Sequence, residues 1–297
     1  MKKIISVIVI SVLVVGSLAL YSCSSKAPGK ASVHYVDYVN YRVHYRIYGD
    51  QQSAKTLLFI HGWSGNLNVW RYQVNAFPGY KVIAVDLPGH GLSSNSVDAT
   101  YSVGVFAEAI AAVMTDAKVS KAFVFGHSMG FSVAEVFALL YPTQVEGIGS
   151  IDGAHFIVDD DTLAQQEWAQ GIKMFAATMN EEKGREDFIK ALFSPQTPQA
   201  IQDEILTESK LTPLSVGQQV IASMTDDMSF WKKRVVSIPC FAVHAPVYQL
   251  SSEYKADFMS MYPQAAYHTM DSVSHFLMLE KPEELNALVA DYLKEVY

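Results

Sequence analysis

Short apolar runs alternate with longer segments of helical periodicity through the first half of the chain. The runs have the length and polarity of buried strands: Thr56–Ile60, Lys81–Val85, Ala122–Phe125 and Gly147–Ile151. The segments between them predict helices: Leu67–Phe77, Ser102–Ala117 and Met129–Leu140. Alternation of strands and helices predicts an α/β fold with a mostly parallel sheet and helices on both faces.

Two parts of the body do not follow this alternation. Before it lie two segments of alternating polarity, Val33–Val39 and Tyr41–Tyr48, which predict an antiparallel pair. After Asp152 no strand is predicted as far as Val235. The helical segments of that block are separated by residues that break helices: Gly184, Pro195, Pro198 and Pro213.

Strands and helices then alternate again to the end of the chain: Pro239–Val243, Glu253–Met261, Ala265–Met270 and Glu283–Val296. We therefore predict an α/β core formed by residues 33–153 and 236–297. Residues 154–235 are predicted to form a helical cap over the carboxyl ends of the strands, where open α/β sheets bind ligands.

Residues 1–22 have the organisation of a secretory signal. Lys2 and Lys3 precede an apolar run that extends to Leu20, and the sequence through Cys23 resembles a bacterial lipobox. We expect a lipoprotein of the cell envelope, lipidated on Cys23, with residues 23–32 as a tether and the body outside the cytoplasm. An uncleaved membrane anchor and ordinary secretion are the alternatives.

Composition narrows the class of protein. Half of the 297 residues are apolar and 18% are charged, which is typical of a globular chain. The net charge of −8, without any long run of Lys or Arg, argues against a nucleic-acid partner. Cys23 and Cys240 cannot form a disulfide framework, and we expect no bridge between them.

A Gly-x-Ser-x-Gly sequence, Gly126 to Gly130, lies between a predicted strand and a predicted helix. A serine at such a junction sits on a sharp, strained turn that lifts its hydroxyl clear of the sheet. The flanking glycines have no Cβ and let the strand and the helix approach each other. This context predicts Ser128 as a nucleophile.

A serine hydroxyl needs a base to take its proton, and His275 lies where one is expected. It follows the last predicted strand and precedes the last predicted helix, which fits the chain order serine, acid, histidine. We therefore predict His275 as the base.

Two further motifs complete the pattern. His-Gly-Trp-Ser-Gly at residues 61–65 follows the first parallel strand, and Asp-Leu-Pro-Gly-His-Gly-Leu-Ser at residues 86–93 follows the next. Together with the serine motif and His275, they make the chain from Val33 to Tyr297 resemble the α/β-hydrolase superfamily, in the branch with a helical cap.

The resemblance implies roles for individual residues. Ser128 matches the nucleophile and His275 the base, while the backbone N–H groups of Trp63 and Met129 match the oxyanion hole. Trp63 also has an interpretation as a packing aromatic, which is compatible with a role for its backbone. Other polar residues of these motifs are expected to shape loops: His61, Asp86, His90 and His127.

The acid departs from the usual family pattern. After the strand that ends at Val243 the family has His-Gly-x-x-Asp, whereas here Tyr248 stands in the place of the acid. A carboxylate must still hold the imidazole in one tautomer. Some family members carry the acid one strand earlier, where this chain has Asp152, and we predict Asp152 as the acid. Other carboxylates are alternatives: Glu253, Asp257 and Asp271.

The predicted activity is hydrolysis of a carboxylic ester of modest size through an acyl-enzyme. Other acyl hydrolases, C–C bond hydrolases and acyltransferases share this constellation. A non-catalytic ligand-binding protein on the same scaffold is the alternative from another class. Serine at position 128 argues against dehalogenase and epoxide hydrolase chemistry, which in this fold uses Asp there.

We predict a small-molecule ester as substrate, and neither a metal nor a cofactor. Asp159, Asp160 and Asp161 are interpreted as a helix cap, since a helix amino terminus favours negative charge. Large apolar residues of the predicted cap are expected to pack onto the body, and some to line the substrate pocket.

Overall fold

The computed structural model describes residues 31–96, 98–158, 160–246 and 252–296. The predicted signal, Cys23 and Tyr248 lie outside these residues. The described residues form an eight-stranded sheet. Its strands are β1 (Ser32–Tyr38), β2 (Tyr41–Gly49), β3 (Thr56–Ile60), β4 (Lys81–Val85), β5 (Ala122–His127), β6 (Val145–Ile151), β7 (Cys240–His244) and β8 (Ala266–Thr269).

The spatial order of the strands is β1-β2-β4-β3-β5-β6-β7-β8. β1 and β2 pair antiparallel, as predicted, and β2 pairs antiparallel with β4. The remaining neighbours are parallel, which confirms a mostly parallel sheet. β1 begins at Ser32, so the last residue of the predicted tether already belongs to the sheet.

The helices are α1 (Val103–Asp116), α2 (Met129–Leu140), α3 (Thr162–Thr178), α4 (Glu182–Ala191), α5 (Gln199–Ser209), α6 (Leu214–Ala222), α7 (Ser252–Met261), α8 (Leu277–Glu280) and α9 (Pro282–Val296). Short 3-10 helices occur at Leu67–Trp70, Pro142–Gln144, Ser223–Thr225 and Met228–Trp231. Within the described residues, no helix is both long enough and apolar enough to cross a membrane.

The sheet is covered on both faces. Every residue of β3 is buried, because alternate side chains enter different cores. Leu57 and Phe59 pack into the core that α9 covers, whereas Leu58 and Ile60 pack into the core that α1 and α2 cover. This double coverage explains why the central strands appear in the sequence as short, wholly apolar runs.

Helices α3 to α6 form the cap between β6 and β7. Asp161 caps α3 by accepting the N–H groups of Leu163 and Ala164, each at 2.9 Å, as predicted for the acidic run. Asp159 lies outside the described residues. The prediction that Gly184 breaks a helix is wrong, because Gly184 lies inside α4. A Cβ there would overlap the carbonyl oxygen of Thr178, so the position needs a residue without a side chain.

The prediction of a long helix over Leu67–Phe77 is also wrong. A 3-10 helix ends at Trp70, and turns follow it. Asn66 caps the 3-10 helix with its own side chain, and the Asp86 carboxylate accepts the N–H of Leu67 at 2.8 Å. Trp70, Val74 and Phe77 all pack into the core that α9 covers, so tertiary packing shapes the rest of the segment and overrides a weak helical pattern.

Candidate active site

Ser128 lies on a sharp turn between β5 and α2. Its φ of 52° and ψ of −126° place it in a strained region that non-glycine residues rarely adopt. A Cβ on Gly126 would overlap the Gly130 carbonyl, and one on Gly130 would overlap the Ile60 carbonyl. The glycines are thus required by close backbone approach, and the turn presents the serine at the carboxyl end of the sheet.

Asp152 and His275 are joined by a hydrogen bond. Asp152 follows β6 with a φ of 44°, and its Oδ2 lies 2.6 Å from His275 Nδ1. Its other oxygen, Oδ1, accepts the N–H of Ala245 at 2.8 Å and lies 3.6 Å from His244 Nδ1. Burial favours the neutral carboxyl, but the contacts with the two imidazoles outweigh it and hold the pKa of Asp152 well below its usual range.

The backbone of His275 is fixed from two sides. Its N–H donates to the carbonyl of Leu192 in the cap, and its own carbonyl lies 2.8 Å from His127 Nε2. Burial lowers the pKa of His127 well below its usual value, so this ring is neutral and its Nε2–H donates to that carbonyl. His127 thus holds the loop of His275, in line with its predicted loop-shaping role.

The other candidate acids lie elsewhere. Asp257 is exposed on α7. Asp271 is also exposed, and its carbonyl accepts from Lys281 Nζ at 2.7 Å. The side chain of Glu253 lies outside the described part of the structure. The described geometry therefore brings Asp152 to His275.

The predicted oxyanion donors flank Ser128. Met129 begins α2, and Trp63 follows β3 in the loop over the serine turn. Among the described residues, the backbone N–H of Trp63 has no protein acceptor. The Trp63 indole N–H donates to the Gly217 carbonyl in α6 at 2.8 Å, and its ring packs edge-on against Phe188 at 5.6 Å. Trp63 is therefore also a packing aromatic that joins the core to the cap.

His61 and Asp86 organise the loops beneath the site. His61 lies with Nδ1 2.8 Å from the Gly62 carbonyl and accepts the Leu87 N–H on Nε2 at 3.0 Å. Burial lowers the pKa of His61, which keeps the ring neutral and able to make both bonds. Asp86 accepts backbone N–H groups, including that of Leu92 at 2.9 Å. These contacts match the predicted loop-shaping roles.

Two cavities meet at Ser128. Trp63 and Phe188 also line both. The His275 cavity, of about 500 Å³, contains His275, Ser64 and Glu208 in its wall. The Met129 cavity, of about 660 Å³, is mostly apolar, and its lining includes Met129, Phe156, Ile172, Phe175, Ile221 and Met224. Cap residues thus contribute to both walls.

Sequence reasoning missed two residues of this site. His244 is the last residue of β7, and nothing in the sequence placed its ring beside Asp152. Glu208 lies in cap helix α5, and its Oε2 accepts from Asn66 Nδ2 at 2.9 Å. No local pattern distinguishes Glu208 from the other acids of the same helix, Asp203 and Glu204.

Comparison with known sequences finds the same family. Residues 55–201 match the family model of the alpha/beta hydrolase fold. Human protein ABHD8 is 27% identical over 259 residues, which cover 82% of this chain but 56% of that relative, so the chain spans little more than half its length. Lipase 3 of a Moraxella species is 23% identical over 247 residues, covering 78% of this chain and 75% of the relative.

Solved structures show the same fold. An esterase from Exiguobacterium antarcticum has a TM-score of 0.74 at 18% identity, covering 89% of this chain and 100% of its own. Epoxide hydrolase A from Mycobacterium thermoresistibile has a TM-score of 0.73 at 16% identity, covering 89% of this chain and 98% of its own. The fold alone therefore does not select a reaction. The strand order, the serine turn, the helical cap and the family match together make this chain a member of the α/β-hydrolase fold superfamily.

Proposed function

We propose that this protein is a serine hydrolase that cleaves a carboxylic ester through an acyl-enzyme. Ser128 is the nucleophile, His275 the base and Asp152 the acid. The observation that carries the proposal is the 2.6 Å bond between Asp152 Oδ2 and His275 Nδ1, beside a cavity that His275 and Ser128 line together. An imidazole oriented by a buried carboxylate next to a strained serine is the arrangement that nucleophilic acyl transfer requires.

In the proposed mechanism each step has a residue to perform it. Ionised Asp152 holds the proton of His275 on Nδ1, which leaves Nε2 to accept the proton of the Ser128 hydroxyl. The serine oxygen then attacks the acyl carbon, and the backbone N–H groups of Trp63 and Met129 stabilise the oxyanion. His275 passes the proton to the leaving alcohol oxygen. Water, activated by the same imidazole, then releases the acid and restores the serine.

The identity of the nucleophile supports ester chemistry over epoxide chemistry. In this fold epoxide hydrolases use Asp, whose alkyl ester intermediate is hydrolysed at the carboxyl carbon. A serine that opened an epoxide would form an ether, and water attacking an ether has no acyl carbon to use. The relatives named as lipase and esterase are consistent with Ser128 acting on esters.

A second part of the proposal concerns location. We propose that Cys23 is lipidated and that residues 23–32 tether the body to a membrane of the cell envelope. The basic start, the apolar run and the Cys that follows it support this. Metabolic labelling with an alkyne fatty acid tests it. Label that is present in the full chain and lost in Cys23→Ser is expected, whereas equal labelling of both chains contradicts it.

A fluorophosphonate probe tests the enzymatic proposal, because it reacts with activated serines. The full chain in detergent is expected to label at Ser128 and to hydrolyse p-nitrophenyl butyrate, and Ser128→Ala is expected to do neither. Gln165→Ala, a cap substitution outside both cavities, is the control for handling and folding. A wild-type chain that neither labels nor turns over any p-nitrophenyl ester would favour the ligand-binding alternative.

A further inference from the structure

The two cavities at Ser128 differ in which catalytic group they contain. His275 lines the cavity of about 500 Å³ and does not line the Met129 cavity. Under the proposed mechanism, His275 must hand its proton to the oxygen of the leaving alcohol. The alcohol half of the ester therefore lies in the His275 cavity. The acyl chain then extends into the apolar Met129 cavity.

The His275 cavity has a carboxylate in its wall. Glu208 reaches it from α5, and Asn66 orients that carboxylate through a bond of 2.9 Å to Oε2. Across the described residues, Glu208 forms no ion pair. The half-buried acid one turn earlier, Glu204, is different, because it pairs with Arg71 at 2.7 Å. Glu208 thus has acceptor capacity that its neighbours do not use.

A second polar group of the same wall is unsatisfied. Ser64 is 2% exposed, and its hydroxyl has no hydrogen-bond partner within the described part of the chain. Buried polar groups without partners are uncommon because they lose their bonds to water. Ser64 and Glu208 therefore offer a hydroxyl and a carboxylate to whatever occupies the His275 cavity.

We propose that the natural substrate is an ester between an apolar carboxylic acid and a small alcohol that carries further hydroxyl groups, and that Glu208 selects this alcohol. The inference rests on the proposed function and names the substrate class of that same site. A substrate hydroxyl donates to the Glu208 carboxylate, and a hydroxyl can both donate to and accept from Ser64. A quaternary ammonium alcohol has no N–H or O–H for these two groups, which favours the hydroxylated alcohol.

Three hexanoate esters test the selection: those of glycerol, 1-propanol and choline. Glyceryl and propyl hexanoate share a carbon skeleton and differ by two hydroxyl groups. For the full chain in detergent, kcat/KM for the glyceryl ester is expected to exceed that for the propyl ester by about tenfold or more, since a site built to bond hydroxyls rejects analogues without them. Glu208→Leu is expected to bring this ratio close to one, mainly by lowering kcat/KM for the glyceryl ester.

Glu204→Leu is the matched control, because it makes the same change on the same helix outside both cavities. Its ester ratio is expected to equal that of the wild type. If Glu208→Leu does not fold, Glu208→Gln replaces it and is expected to lower the ratio severalfold. Turnover of p-nitrophenyl hexanoate by every variant shows that the catalytic centre is intact.

The outcomes separate the two proposals. A wild-type chain that turns over no p-nitrophenyl ester and is not labelled by fluorophosphonate overturns the hydrolase proposal itself. Turnover with a glyceryl-to-propyl ratio near one, or with a ratio that Glu208→Leu leaves unchanged, overturns the alcohol selection alone. A preference for choline hexanoate that Glu208→Leu abolishes also overturns it, because the cavity then selects a cation.

Discussion

Replacing Asp152 with Asn tests the proposed triad where its geometry is most constrained. Asp152 Oδ1 accepts the Ala245 N–H at 2.8 Å, and Oδ2 bonds to His275 Nδ1 at 2.6 Å. Asn has the same shape but a single acceptor atom at its end. If that oxygen faces Ala245, the amide N–H points at His275 Nδ1. The imidazole proton must then sit on Nε2, where it blocks transfer from Ser128.

The other amide orientation is penalised at Ala245. It sets two N–H donors against each other, and a buried donor without an acceptor costs about 1–3 kcal/mol. The fraction of molecules that hold the productive tautomer of His275 then falls to between roughly one in five and one in 150. Loss of the carboxylate charge, which stabilises the imidazolium, adds to this. An equivalent Asp-to-Asn change in the serine protease triad lowers kcat about 10⁴-fold.

We therefore expect Asp152→Asn to lower kcat between about 10² and 10⁴-fold, or roughly 2.7–5.4 kcal/mol, with little change in KM. Steady-state hydrolysis of p-nitrophenyl butyrate measures it, with circular dichroism to confirm folding. Asp271→Asn is the control, and its kcat should stay within twofold of the wild type. A loss below about fivefold in Asp152→Asn, or an equal loss in Asp271→Asn, would refute the assignment of the acid.

Four further substitutions test the fold and the apolar cavity. Burial lowers the pKa of His90 to about 3. The neutral ring therefore contributes its full stability above the unfolded-state pKa of about 6.5, and this stability is lost as the pH falls from about 6.5 towards 3. His90→Gln should reduce the pH slope of unfolding free energy by about 1.4 kcal/mol per unit, measured by urea titrations between pH 4 and 6; an unchanged slope contradicts this. A Cβ on Gly91, whose φ is 53°, would overlap the Asp86 carboxylate, so Gly91→Ala should cost about 2 kcal/mol or more. Gly171→Ala, where a Cβ meets nothing within 4 Å, should instead stabilise helix α3 by about 0.5–1 kcal/mol, and equal urea midpoints for the two variants would contradict the comparison. Ile221→Trp should fill the Met129 cavity and lower kcat/KM for p-nitrophenyl octanoate about tenfold relative to the acetate, whereas parallel losses on both esters would place the acyl chain elsewhere.

The sequence predicts well those elements that are determined by local pattern. The bounds of β3 and α2 follow from the apolar run Thr56–Ile60 and from Pro142, which ends the helical pattern. The segment after Asn66 does not follow its pattern, because contacts from residues distant in sequence shape it, such as the bond from the Leu67 N–H to the Asp86 carboxylate. Gly184 is a glycine within a helix because the Thr178 carbonyl leaves no room for a side chain, a contact that the helical pattern does not reveal.

The candidate site likewise contains residues that the local pattern predicts and a residue that it does not. Ser128 and His275 are identified by their places between strand and helix, and Asp152 by the loss of an acid at Tyr248. Their proximity follows from the parallel sheet, since the carboxyl ends of its strands lie along one edge. Glu208 could not be found, because its position depends on how a cap helix docks against Asn66, a residue 142 positions earlier in the chain.

The bond between the Trp63 indole and the Gly217 carbonyl joins the proposed oxyanion loop to the cap. One residue supplies both the proposed oxyanion donor, through its backbone, and the contact that holds α6, through its side chain. A cap that swings away to admit substrate must release Trp63 and so loosen the loop that positions that donor. Transition-state stabilisation is then complete only after the cap has closed over a bound ester.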